Sequence, residues 1–124
     1  MKILIFKSDE AFSFMDFSIS HKKLLLRATV VDLIKGRFYN IDILFGGTTF
    51  IQTPTTFLGL EIYLGSTEEI IHSSSDQINV IRTKYEYYKN YVLVTENKRF
   101  HIVASDIQIY ENSLNPNISS INKD

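Results

Sequence analysis

Apolar residues recur at every second position through much of the chain, in short runs separated by polar or glycine-containing breaks. Met1–Phe6 reads as a short apolar strand, with Lys7-Ser8-Asp9-Glu10 as a polar turn after it. Phe12 and Phe14 share one parity, whereas Met15, Phe17 and Ile19 share the other. Such a change of phase predicts a β-bulge, or else a turn near Met15-Asp16. Leu24–Ile34 is apolar at nearly every position. Leu24, Leu26, Ala28 and Val30 form one face, and Leu25, Arg27, Thr29 and Val31 the other, as in a central strand with one face only partly wet. Lys35-Gly36-Arg37 is the turn after it. Phe38–Phe45 then alternates, with Tyr39, Ile41, Ile43 and Phe45 pointing one way and Asn40 and Asp42 the other. Together these segments predict an antiparallel hairpin, with Gly36 supplying the permissive backbone.

Gly46-Gly47 punctuates the chain again, and Thr49–Thr53 is a short strand ended by Pro54, which has no amide to donate to a ladder. Leu58, Leu60, Ile62 and Leu64 alternate with Gly59, Glu61 and Tyr63 in a further half-buried strand. Ser66-Thr67-Glu68-Glu69 has the form of a capping box and predicts at most one or two helical turns before His72-Ser73-Ser74-Ser75. Ile78–Tyr88 reads as a strand. Tyr91–Thr95 and Phe100–Ala104 flank the polar loop Glu96-Asn97-Lys98-Arg99 as a hairpin, and Ile107–Tyr110 follows a kink at Asp106. The pattern predicts a mainly β fold, an antiparallel β-sandwich or partly open barrel of about eight to ten strands with at most one short helix near 66–72. Residues 1–111 form a single β domain in this reading. Residues 112–124, rich in Asn and Ser and without periodicity, are a flexible tail.

Composition supports the strand reading. The 124 residues include 17 Ile, 6 Val, 9 Thr, 9 Phe and 7 Tyr against three Ala, a balance that suits pleated surfaces and not helix bundles. The absence of Cys removes disulfides, thiolate zinc sites and cysteine nucleophiles, and fits a reducing cytoplasm. The apolar start is too short for a signal peptide, and no run approaches the roughly 20 apolar residues of a membrane-spanning helix, so no membrane partner is expected. Lys+Arg 13 against Asp+Glu 14 gives a net charge of -1, without the basic footprint usual for duplex DNA.

Candidate chemistry is sparse. His21, His72 and His101 stand alone, with no spacing that suggests a metal site. Asp9-Glu10 and Glu68-Glu69 lie in polar segments, Gly65-Ser66 is half of a nucleophile elbow, and Gly46-Gly47 lacks the Lys-Ser/Thr of a phosphate loop and reads as a β-turn. No catalytic residue, metal or cofactor is expected. The distinctive stretch is Ile81–Tyr91, where four tyrosines interleave with three basic residues. It reads as a protein-binding strand, with Arg82, Lys84, Tyr85, Tyr87, Tyr88 and Tyr91 as partner-binding residues. Two other readings stay open. One is a stacking platform for single-stranded nucleic acid, which the net charge demotes. The other is an ordinary strand whose tyrosines sit half buried at the sheet rim.

The layout also carries a resemblance. Asp16-Phe17-Ser18 precedes a Leu-rich strand, followed by Asn40-Ile41-Asp42-Ile43-Leu44-Phe45-Gly46-Gly47-Thr48 and a short strand ending in Thr53-Pro54. Tyr91-Val92-Leu93-Val94, Phe100-His101-Ile102-Val103-Ala104 and Ile107-Gln108-Ile109-Tyr110-Glu111-Asn112 close the series. Over roughly residues 12–112 this arrangement resembles the small bacterial immunity proteins of polymorphic toxin and contact-dependent growth inhibition systems. The resemblance implies a cytoplasmic, non-enzymatic inhibitor that binds the toxin domain of its own system. Its motifs are strand patterns and turns, so it assigns no site residue. A small nucleic-acid-binding β-barrel module is the alternative function.

Overall fold

Strand-forming residues dominate the chain, and strands account for most of its described length. The computed structural model describes residues 3–65 and 88–121. The capping-box segment at 66–72 and all of the Ile78–Tyr88 stretch except Tyr88 lie outside the described residues. The strands are β1 (Ile3–Ser18), β2 (Lys23–Asp32), β3 (Arg37–Gly46), β4 (Phe50–Ile51), β5 (Thr56–Gly65), β6 (Lys89–Thr95), β7 (Lys98–Ala104) and β8 (Asp106–Asn112). They form one antiparallel sheet in the order β4-β7-β6-β5-β1-β2-β3-β8, with no helix among the described residues.

The sheet is not closed into a barrel, because its end strands β4 and β8 do not pair. The chain nevertheless draws its two ends together. β3 continues through Gly46-Gly47 towards β4, and β7 continues through the single residue Ser105 into β8. β8 pairs with β3 while β4 pairs with β7, so two bent arms lie antiparallel along each other. Ser105 N and Oγ both donate to the Gly46 carbonyl, at 2.9 and 3.0 Å, and Thr49 N donates to Val103 O at 2.9 Å. Glycine is favoured at this corner by Gly47, whose φ of +60° strains an L side chain and where a Cβ would meet the Ser105 hydroxyl; a Cβ on Gly46 would meet the movable Asp106 carboxylate. The pair is therefore a tight corner between packed strands, where the sequence alone suggests a β-turn.

The coiling encloses one main core. Phe12, Leu24, Leu26, Ile43, Phe45, Ile62, Leu93 and Ile102 are essentially inaccessible. Phe45 of β3 meets Tyr91 of β6 edge-on, with ring centroids 5.4 Å apart and planes at 62°, although three strands separate them in the ladder. Phe12 stacks on Phe57 at 6.1 Å and receives the edge of Phe6 at the same distance. Leu24, Leu26 and Ala28, with Ile43 and Phe45, are the inward faces that the alternation predicts.

Three local expectations need correction. Lys7-Ser8-Asp9-Glu10 is not a turn: β1 runs through it. The excess residues form a bulge against β5 between Ser8 and Ala11, opposite Gly59 at φ +77°. That bulge reverses the phase of β5. Phe57 points into the core and Leu58 is 66% exposed, whereas simple alternation places Leu58 with Leu60 and Ile62. The phase change in β1 itself is a bulge, since Phe14 pairs Leu26 and Asp16 pairs Leu25. Finally, the β6–β7 loop is the two-residue turn Glu96-Asn97, both residues at positive φ as a type I′ turn requires, so Lys98 and Arg99 belong to β7.

Candidate functional site

Of the six residues proposed from the tyrosine-rich stretch, Arg82, Lys84, Tyr85 and Tyr87 lie outside the described residues. Tyr88 is half-buried and packs, with Phe50, against Val103. Tyr91 is 2% exposed, faces inward beside Leu93 and packs on Phe45. Burial, with a smaller contribution from the negative charge of Asp106, raises its phenol above the usual tyrosine range. A tyrosine at the start of a strand reads equally well as rim or core from sequence, and the parity of β6 decides for core.

Of the three histidines, two are described, and they lie apart. His21 sits exposed in the β1–β2 turn, while His101 is buried on β7 with its Nδ1 3.1 Å from Asn90 Oδ1. His72, Glu68 and Glu69 lie outside the described residues. Among the described residues no group of three His, Cys, Asp or Glu side chains is placed to hold a metal ion.

The polar cluster that the fold does assemble lies on the outer face of β2, β3 and β8. Register alone sets Arg27 opposite Asp42 and Asp42 opposite Tyr110, with Thr29 opposite Asn40 and Asn40 opposite Asn112. Arg27 Nε and Nη2 donate to the two carboxylate oxygens of Asp42 at 2.6 and 2.9 Å, and both side chains are almost fully buried. Arg27 Nη1 donates to the carbonyls of Pro116 and Ile118, at 3.1 and 2.6 Å. Asn112 Nδ2 donates to Asp42 Oδ2 at 2.6 Å, Asn40 Nδ2 to Asn112 Oδ1 at 2.8 Å and Leu114 O at 2.9 Å, and Thr29 Oγ1 to Asn40 Oδ1 at 2.8 Å. Tyr110 OH and Ser120 Oγ share a hydrogen bond of 2.8 Å.

This network involves the segment that the sequence reads as a tail, of which residues 112–121 are described. Asn112 ends β8, and residues 113–121 form a strap across the outer face, ending with Ile121 buried. The short polar residues that suggest disorder are turn formers here. Asn112, Asn115 and Ser119 side chains each accept from an amide two residues on. Burial pushes the Asp42 carboxyl up, but hydrogen bonds from Arg27, Ser120 and Asn112, and the Arg27 charge, outweigh it and hold the group below the usual carboxylate range. A carboxylate so fully engaged has no capacity left to act as a base. The cluster is a fastener for the strap.

Beyond the fastener, the same face of the same hairpin becomes apolar. The Thr29/Asn40 pair is followed by the Val31/Phe38 pair and then by the turn Leu33-Ile34-Lys35-Gly36. Sequence alternation carries β2 through Leu33 and Ile34, but β2 stops at Asp32. The Asp32 carboxylate accepts from the amides of Ile34 and Lys35 at 3.1 Å each, and Gly36 takes φ +65°. The turn leaves Leu33 88% and Ile34 98% exposed, with Val31 at 62%. Beside this projection, Val31, Leu33, Phe38 and Pro116 of the strap line a largely apolar cleft of about 420 Å³, whose lining also includes Thr29, Asp32 and Arg37. Arg37 is exposed, as is Lys35 in the turn.

No family model matches the sequence, and neither a curated protein nor a solved structure matches it.

Proposed function

We propose that the chain is an immunity-type inhibitor that binds and neutralises a cognate bacterial toxin domain by protein–protein contact, without catalysis or cofactor, in the cytoplasm. The observation that carries this reading is the apolar end of the β2–β3 hairpin. Val31, Leu33 and Ile34 are exposed together, on a domain whose core is well supplied with large side chains. Apolar surface gathered in one place and bordered by charge is the usual mark of a protein-recognition surface.

The test is direct. The chain is mixed with an inactivated toxin domain encoded beside it, and association is followed by pull-down and calorimetry. A one-to-one complex, together with loss of toxin activity on titration, is the expected result. No association with any toxin domain encoded beside it overturns the reading.

A further inference from the structure

We propose that the β2–β3 hairpin end is the contact surface for that toxin domain, and that it fits an apolar recess with an acidic rim. The inference rests on the immunity reading above and specifies its site and the chemistry of its partner. Three observations converge on it.

The shape has two complementary parts. Leu33 and Ile34 project from the turn as a knob, while Val31, Phe38 and Pro116 line the hollow next to it. A knob beside a hollow calls for an occupant with relief of its own, which a bilayer surface lacks and a folded protein has.

The charge around the apolar residues is net positive. Lys35 and Arg37 are exposed, and Asp32, which lines the hollow opposite Arg37, has one carboxylate oxygen engaged by the Ile34 and Lys35 amides. A partner rim bearing Asp or Glu complements Lys35 and Arg37 and speeds the encounter. A second copy of this chain would set one net-positive end against another, a poorer complement than an acidic rim.

The surface is also held firm. The hollow has one wall from the strap, and Pro116, which forms that wall, is fastened through its own carbonyl to the buried Arg27 guanidinium. Asp32 fixes the turn from the inside. A surface already set in its binding shape loses less freedom on association.

The experiment measures binding of the inactivated toxin domain to the full chain and to Leu33→Asp, Ile34→Asp and Lys35→Glu/Arg37→Glu variants. Ile19→Asp is the control: Ile19 is 77% exposed in the turn at the opposite end of β2. The substituted side chains stand in solvent, so thermal melts are expected to be unchanged, and equal melts establish that each variant is folded. Each apolar substitution is expected to weaken binding about thirtyfold or more, as for residues at the centre of an interface. The charge-reversed pair is expected to slow association and to flatten or invert its salt dependence, and Ile19→Asp to bind as the parent. Undiminished binding by both apolar variants overturns this surface while leaving the immunity reading intact. Failure of the unmodified chain to bind overturns both. Self-association on sedimentation, or binding to phosphatidylglycerol vesicles, that is lost in Ile34→Asp while toxin binding is retained identifies a different occupant and overturns the proposal.

Discussion

Arg27 and Asp42 face each other across β2 and β3 as a bidentate pair, and the nitrogen of Arg27 that Asp42 leaves over holds the carbonyls of Pro116 and Ile118. One buried guanidinium thus joins a cross-strand ion pair to a segment 89 and 91 residues further along the chain. Two charges this deep persist because nearly every donor and acceptor is used. The arrangement makes the strap part of the folded domain, and its consequences are measurable.

Arg27→Met is expected to destabilise the domain by about 3–5 kcal/mol, because it leaves Asp42 buried without its counter-charge. Urea unfolding measures the loss. Hydrogen exchange adds a local signature: amides of 113–121 lose protection before the sheet does. The double variant Arg27→Met/Asp42→Leu is expected to recover part of the loss, since it removes both buried charges together.

Acid is expected to weaken the domain through Asp42. Its carboxyl is held below the usual range by Arg27, Asn112 and Ser120 against the opposing effect of burial. The folded form therefore binds this proton more weakly than the unfolded chain. The stabilisation is present above the unfolded carboxyl pKa, about 3.9, and is lost as the pH falls through the lower folded value. Urea midpoints between pH 7 and pH 3 are expected to fall for the parent. For Asp42→Asn, less stable at pH 7, they fall less steeply over the acid range.

Tyr91 distinguishes a core residue from a contact residue. Tyr91→Ala is expected to cost about 3–5 kcal/mol, as for removal of a buried aromatic ring. Tyr91→Phe keeps the packing on Phe45 and is expected to be tolerated, with unchanged affinity for any partner. A large loss of affinity in a stably folded Tyr91→Phe variant contradicts its placement in the core.

Gly46→Ala and Gly47→Ala test the corner. The second forces an L side chain into positive φ against Ser105 and is expected to cost about 1–3 kcal/mol. The first meets only the exposed Asp106 carboxylate, which can rotate aside, and is expected to cost less. Gly36, also at positive φ but with open space where a Cβ would lie, is expected to be less sensitive. Melting temperatures of the three alanine variants give the ranking.

The candidate surface was only partly legible in the sequence. The Gly36 turn and the alternation of β3 place Arg27 and Asp42 on faces away from the core, and once Asp32 is paired with Arg37 the register sets them opposite each other. Nothing local says that this face is buried, because its cover comes from residues 113–121, whose Asn and Ser content also describes a solvated tail. Leu33 and Ile34 extend an apolar run and so read as strand. Only the capping by Asp32 shows that they form the turn and stand in solvent. The tyrosine-rich stretch drew attention because aromatic and basic residues mark interfaces. Yet the side chain of Tyr91 follows the parity of Leu93 into the core.

The sequence by itself determined the mainly β character, the hairpin about Gly36, the change of phase in β1 and the inward faces of β2 and β3. Each follows from period-two patterning or from a turn residue, and both are properties of neighbours along the chain. The tertiary structure alone decided how the ladder curls so that Phe45 reaches Tyr91 across three intervening strands, and how Gly46-Gly47 packs against Ser105 and Asp106. It also decided that the strap returns to Arg27 and that, among the described residues, nothing covers Leu33 and Ile34 at the hairpin end. These outcomes depend on contacts between segments far apart in sequence, where long-range packing and the satisfaction of buried polar groups outweigh local preference.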